Sequence, residues 1–244
     1  MKKAIILGGT RGLGAALAHE CARQGVQPIV YGSSVGSDEG EPAEPLPPGA
    51  ICHRLDLTDA ASVAAFNPEE EEAGYFFWVA GVFLKKRLVD TSAFEMDRMV
   101  DIHFKAPLQI LQRFQRARRR PYHLVCIASC SSWRLREDES IYCALKAAQA
   151  TFTRNFTPEL VRDLPGSKVL LVNPGGLKTP HFWKDVPTEL EGFMDPARVA
   201  AIIWSTLRAQ QGAFHEMQVL RRKPVVPGSD PLVEHGPKLP EVLS

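Results

Sequence analysis

Short apolar runs, each closed by glycine, serine or aspartate, alternate along this chain with stretches whose apolar positions recur every three or four residues. The first kind reads as buried parallel strands and the second as amphipathic helices. Strands are expected at Ala4–Leu7, Pro28–Tyr31, Ile51–Leu55, Tyr75–Ala80, His123–Ala128, Lys168–Val172 and His215–Leu220. Helices are expected from Ala15, from Ala60 to Phe66 behind an Asp59 cap, and from the Ser92-Ala93-Phe94-Glu95 capping box to about Gln115. Two more follow, one opened by Ser140 and one by Asp195-Pro196, a cap with proline in the first turn. Pro107 must kink the third helix or free a carbonyl within it. This alternation predicts one α/β domain: a Rossmann-like, doubly wound, mainly parallel sheet of about seven strands with helices on both faces, over residues 1–221.

Three segments break the pattern. Residues 35–50 hold four prolines, three glycines and four acids, which predicts an exposed loop in place of a helix. The acidic run 69–72 reads as solvated. Five prolines in the tail, 222–244, predict an extended arm or disorder with no regular structure.

At 244 residues, the chain is long enough for a substantial core. Lys+Arg 29 against Asp+Glu 28 gives no charge excess to attract nucleic acid or an anionic membrane. The longest apolar run, Phe76–Leu84, falls well short of the ~20 residues of a membrane helix. The apolar run after Met1-Lys2-Lys3 is too short for a secretory signal. Five cysteines with no CxxC pair suit reduced thiols in a cytoplasmic protein. No second ligand lies at metal spacing from His103, so no metal is expected, and that histidine reads as a packed core residue. The arginines at 113, 116 and 118–120 read as a solvated helix end.

The candidate chemistry gathers where strands end. Gly8-Gly9-Thr10-Arg11-Gly12-Leu13-Gly14 joins the first strand to a helix, and such a turn lets backbone N–H groups and the helix dipole meet a phosphate. No acid closes the second strand to bind a ribose 2′-hydroxyl. Ser33 and Ser34 with Arg11 suit a 2′-phosphate better, which favours NADP(H) over NAD(H); a solvated Arg11 is the plainer alternative. Asp56 has the place to meet an adenine or simply to hold its own turn, and Gly81 permits close approach of backbone to a cofactor. Ser129 follows the fifth strand, and Asn173-Pro174-Gly175-Gly176-Leu177-Lys178-Thr179 follows the sixth. Tyr142 and Lys146 stand four apart on a predicted helix, hence on one face. A cation there is expected to lower the phenol pKa and fit it for proton exchange. The segment 181–193 carries Phe182, Trp183, Leu190 and Phe193, which suit an apolar carbonyl substrate or a loop packed on the core.

Taken in order, these motifs resemble the short-chain dehydrogenases/reductases of the simple, single-domain type, from residue 1 to about 221. Gly8, Gly12 and Gly14 match the family's glycine turn, with Leu7 in place of its usual threonine. Asp56 matches the adenine-contacting acid, and Ser129, thirteen residues before Tyr142, matches the catalytic serine. Tyr142 and Lys146 match the Y-x-x-x-K pair, and Pro174, Gly175 and Thr179 the turn that meets the nicotinamide. Two departures stand out: Trp78-Val79-Ala80-Gly81 replaces Asn-Asn-Ala-Gly, and His103 aligns with the asparagine that completes the catalytic tetrad.

The resemblance implies an oxidoreductase that interconverts a small carbonyl compound and its alcohol, with Ser129, Tyr142, Lys146 and His103 catalytic. It implies NADP(H), with NAD(H) as the second choice, held by Gly8, Thr10, Arg11, Gly12, Leu13, Gly14, Ser33, Ser34, Asp56, Leu57, Ala80, Gly81, Tyr142, Lys146, Pro174, Gly175 and Thr179. It also implies a homodimer or homotetramer built on the helices near 93–115 and 141–157. The rival reading is an NADP-binding sensor or scaffold on the same fold, with little turnover.

Overall fold

A computed structural model describes residues 2–35, 44–66, 73–222 and 229–238. The acidic run 69–72 and much of the segments 35–50 and 222–244 lie outside them. Within 44–50 there is neither helix nor strand, as the composition implies.

The sheet is built from β1 (Lys3–Leu7), β2 (Gln27–Gly32), β3 (Ile51–Arg54), β4 (Ala73–Trp78), β5 (His123–Ile127), β6 (Lys168–Pro174), β7 (Phe214–Leu220) and β8 (Leu232–His235). Its order is β3-β2-β1-β4-β5-β6-β7-β8. All neighbours are parallel except β7 and β8. The central strands are mostly apolar on both faces because both faces are covered. Ile5, Leu7, Phe76, Trp78, Leu124 and Leu171 pack beneath α4 (Ala106–Ala117) and α5 (Ser140–Asp163). Ile6, Phe77, Val125, Leu170, Val172 and Met217 pack on the opposite face, beneath α1 (Gly12–Arg23) and α6 (Pro196–Ala209). Two smaller helices, α2 (Ala60–Ala64) and α3 (Ala93–Val100), complete the layers. The strand order reverses between β1 and β4, where doubly wound sheets open a crevice. Gly14 brings α1 close to that point: a Cβ there would lie 2.0 Å from the Gly8 carbonyl oxygen, so no larger residue fits.

Three expectations need correction. Among the described residues the sheet has eight strands, because the proline-rich tail contributes β8 antiparallel to β7, with Leu220 opposite Leu232 and Met217 opposite His235. The prolines flank β8 rather than interrupt it, and an edge strand tolerates missing donors. It is tied down by an Arg198–Asp230 ion pair and by Arg222 Nε donating to the Asp230 carbonyl at 2.8 Å.

Second, the long helix after Ser92 is interrupted. Its capping box is present, but a π-helical turn, Asp101–Lys105, separates α3 from α4. Pro107 explains it: proline has no N–H for the His103 carbonyl, and its ring crowds that position, so the helix widens one turn earlier. Third, the arginine cluster is not wholly solvated. Arg118 is buried, with its guanidinium 5.1 Å from the Phe114 ring centre, and Arg113 donates to the Val63 carbonyl at 2.6 Å. A smaller difference is that Ser140 is the first residue of α5 and does not cap it.

Candidate active site

At the C-terminal edge of β1, β4, β5 and β6 lies a cavity of about 490 Å³. Every residue assigned to the site from sequence lines it except His103, which lies fully buried behind Gly81. The volume falls within the range of ligand sites, ~300–1,000 Å³.

One end carries Ser129, Tyr142 and Lys146. Ser129 caps a short turn, its Oγ accepting from the Ser131 N–H at 3.1 Å, and its hydroxyl also bonds the Tyr142 phenol. Tyr142 and Lys146 are both buried on α5, with Lys146 Nζ 5.8 Å from the Tyr142 ring centre and 3.1 Å from the Ile127 carbonyl. The shared face is as expected, but the expected fall in the phenol pKa is not found. Burial raises it and outweighs the Ser129 hydrogen bond, with Cys130, Glu139 and Cys143 adding to the rise. Burial also holds Lys146 down to about 8, with Cys126 opposing.

His103 stands edge-on to Tyr142, ring centres 5.6 Å apart. Its Nε2 lies 2.7 Å from the Val82 carbonyl oxygen and 3.1 Å from the Val82 N–H, while Nδ1 is buried without a partner. A Cβ on Gly81 would lie 2.9 Å from the His103 ring, so glycine there is a packing requirement. Burial first, then the charge of Lys146, drives the His103 pKa down to about 3, against the pull of the Val82 backbone. The imidazole is therefore neutral at ordinary pH.

At the other end, the α1 N-terminus faces the cavity with no side-chain cap and no acid in its first turn. Such an end is suited to an anion. The Gly12 N–H is taken by Glu44 Oε1 at 2.8 Å, so a carboxylate from the proline-rich loop already sits at the phosphate-like position. Arg11 donates to His181 Nε2 at 3.0 Å across the cavity. Asp56 Oδ1 accepts from the Thr58 N–H and hydroxyl at 2.8 and 2.7 Å, which realises the turn-holding reading. Among the described residues no three His, Cys, Asp or Glu side chains are placed to hold a metal. No helix among them is long and apolar enough to cross a membrane.

The family model of short chain dehydrogenases matches residues 2–190. The chain is a short-chain dehydrogenase. It is accordingly an NAD(P)-dependent oxidoreductase. Its relatives include an uncharacterised oxidoreductase of Staphylococcus epidermidis, 28% identical over 193 residues, or 73% of this chain and 79% of that one. A Staphylococcus aureus oxidoreductase is 23% identical over 229 residues, 89% of this chain and 96% of the other. Among solved structures, the alcohol dehydrogenase of Thermococcus sibiricus complexed with 5-hydroxy-NADP superposes with a TM-score of 0.74 at 22% identity, covering 94% and 99% of the two chains. A short-chain dehydrogenase of Burkholderia cenocepacia in complex with NADP gives 0.72 at 19%, covering 90% and 96%.

Sequence reasoning missed several cavity residues of this short-chain dehydrogenase. Phe83 packs on Tyr142 at 5.1 Å and on Trp183 at 4.8 Å between ring centres, so an aromatic wall rises from the tyrosine. Its signal was present, since Phe83 lies in the apolar run Phe76–Leu84. Glu44 and His181 were legible only as members of the acidic loop 35–50, close in sequence to the phosphate site, and of the covering segment 181–193, because which side chain of either segment enters the cavity is set by the fold.

Proposed function

We propose that this enzyme is an NADP(H)-dependent carbonyl reductase or alcohol dehydrogenase in which Tyr142 exchanges the proton. The observation that carries the reading is the meeting of Ser129, Tyr142 and Lys146 in one cavity whose far end is the glycine turn and N-terminus of α1. When bound, the cofactor supplies hydride to the carbonyl carbon. The N-terminal end of α1, with Gly8, Thr10, Gly12, Leu13 and Gly14, fits the cofactor's phosphates once Glu44 yields the Gly12 N–H. Arg11, Ser33 and Ser34 would hold a 2′-phosphate, Asp56 and Leu57 would meet the adenine, and Ala80, Gly81, Pro174, Gly175 and Thr179, which line the same cavity, would meet the nicotinamide half. The NADP complexes of the Thermococcus and Burkholderia proteins favour the same cofactor.

Ser129 hydrogen-bonds the substrate oxygen and Tyr142 gives it a proton. Burial keeps the phenol protonated, the form a donor requires. Lys146 would hold the nicotinamide ribose and supplies positive charge beside the phenolate left after transfer. His103, neutral and bonded to Val82, keeps the Val82 backbone in place beside Gly81. The wall of Phe83, Phe182 and Trp183 suits a small apolar or aromatic carbonyl compound. We further assign a cytoplasmic location and a homodimer or homotetramer formed through α3–α4 and α5.

The test is a titration of NADPH and NADH by ligand fluorescence, beside a screen of NADPH oxidation over varied aldehydes and ketones. Tighter NADPH binding and turnover of at least one carbonyl support the reading. Binding without turnover of any of them returns the protein to the sensor class.

A further inference from the structure

One buried carboxylate outside the cavity is joined to both elements that carry the candidate catalytic groups. Glu216, on β7, is buried within the sheet's α5 side, and no step of the proposed reaction uses it. Arg154 of α5 grips it with two hydrogen bonds, Nε to Oε2 at 2.9 Å and Nη2 to Oε1 at 2.7 Å. Asn173 of β6, fully buried, donates through Nδ2 to Glu216 Oε1 at 3.0 Å. That donation fixes the amide orientation, because an anion demands the NH₂ side, and so turns Asn173 Oδ1 toward the Ser132 hydroxyl at 3.3 Å. Ser132 Oγ in turn donates to the Ser129 carbonyl at 2.5 Å. Its one proton is shared between these two acceptors, with the shorter bond to Ser129.

We infer that Glu216 is a positioning residue for Ser129 and for the Tyr142–Lys146 helix, an inference that rests on the carbonyl-reductase reading. Through Asn173 and Ser132 it orders the turn whose first residue is Ser129. Through Arg154 it fixes where α5 sits along the sheet, and that helix carries Tyr142 and Lys146 toward its N-terminal end. A charge-assisted, two-pronged bond is the kind that fixes geometry as well as adding attraction. Reaction rate is sensitive to misplacement of about 1 Å between reacting groups. Serine and phenol are therefore held in register by one anion that neither of them touches.

The test compares the wild type with Glu216→Gln, which keeps the shape and leaves no unpaired buried anion, and with Ser132→Ala, which cuts the far end of the chain and spares the ion pair. Amide hydrogen exchange is read by mass spectrometry over residues 129–134, with residues 3–7 as the control. NADPH affinity, melting temperature and NADPH oxidation with 9,10-phenanthrenequinone as the probe carbonyl are measured on the same samples. The expected result for Glu216→Gln is at least 10-fold faster exchange in 129–134, unchanged exchange in 3–7 and NADPH affinity within 2-fold. Turnover should fall at least 10-fold with KM within about 3-fold. Ser132→Ala should move exchange and turnover in the same direction at an unchanged melting temperature, and the double variant should be little worse than the poorer single one. Unchanged exchange over 129–134 in Glu216→Gln overturns the inference, as does an equal rise in both segments, which would mark a merely structural role. Should Glu216→Gln fail to fold, Ser132→Ala decides alone by the same criteria. A wild type inactive on every carbonyl counts against the proposed reaction, and the exchange data then decide the brace independently.

Discussion

Replacing His103 with asparagine tests the electrostatics of the site without knowledge of the substrate. In the folded chain the imidazole pKa is driven down to about 3, by burial first and by the charges of Lys146 and Arg98, while the Val82 backbone pulls it up. In the unfolded chain it is ~6.5. Between those pH values the unfolded chain binds a proton that the folded chain refuses, so stability falls as the pH falls, by up to ~1.4 kcal/mol per unit. From pH 6.5 to 4.5, allowing for half-titration at the upper limit, this one group removes about 2 kcal/mol. His103→Asn abolishes that contribution. His123, pushed down to about 4 chiefly by burial, titrates in both proteins and cancels in the comparison. At pH 7 the carboxamide offers both a donor and an acceptor to Val82, whereas one imidazole nitrogen serves only one of them, so the variant should be within about 1 kcal/mol of the wild type. Urea unfolding of both proteins at pH 6.5 and 4.5 gives the four free energies. The wild type should lose about 2 kcal/mol more than the variant. Equal losses would refute a neutral, desolvated His103.

Three further outcomes are expected. Arg11→Ala should weaken NADPH by about 1–3 kcal/mol and leave NADH within a few-fold in a fluorescence titration, because only NADPH offers the guanidinium a 2′-phosphate; an equal loss for both would remove Arg11 from the phosphate site. Glu44→Gln should tighten NADPH about 2–5-fold, since it takes a negative charge from the α1 N-terminus where the Gly12 N–H is already engaged, and unchanged or weaker binding would contradict this. Truncation after Arg222 removes β8, unpairs the edge of β7 and deletes the Arg198–Asp230 ion pair. Its melting temperature should fall by ~2–4 °C for each kcal/mol lost, and no fall would mean that β8 adds nothing to stability.

How far the chain could be read in advance depended on range. The strands and the glycine turn are written in local periodicity, and Tyr142 with Lys146 in a spacing set by one helix, so each was legible without its partners. The raised phenol pKa was not, because it depends on burial by residues brought from elsewhere, among them Phe83 and His103. Pro107 announced a disturbance in its helix but not its form, since whether proline bends or widens a helix depends on what packs against it. β8 was hidden because prolines around a four-residue strand read as coil until an edge is available to pair with. Glu216 and Asn173 are polar residues within largely apolar strands, and only the folded sheet brings them to Arg154 and Ser132.

The central claim is that Tyr142 donates the proton, and Tyr142→Phe tests it most directly. The change removes one hydroxyl and keeps the ring against Phe83 and His103. NADPH oxidation by wild type and variant should be followed with whichever carbonyl compound the wild type turns over best, beside an NADPH titration of each. The expected result is cofactor affinity within a few-fold and turnover lower by roughly the 10²–10⁴ of a single acid–base group. Turnover that survives undiminished in Tyr142→Phe would contradict the mechanism.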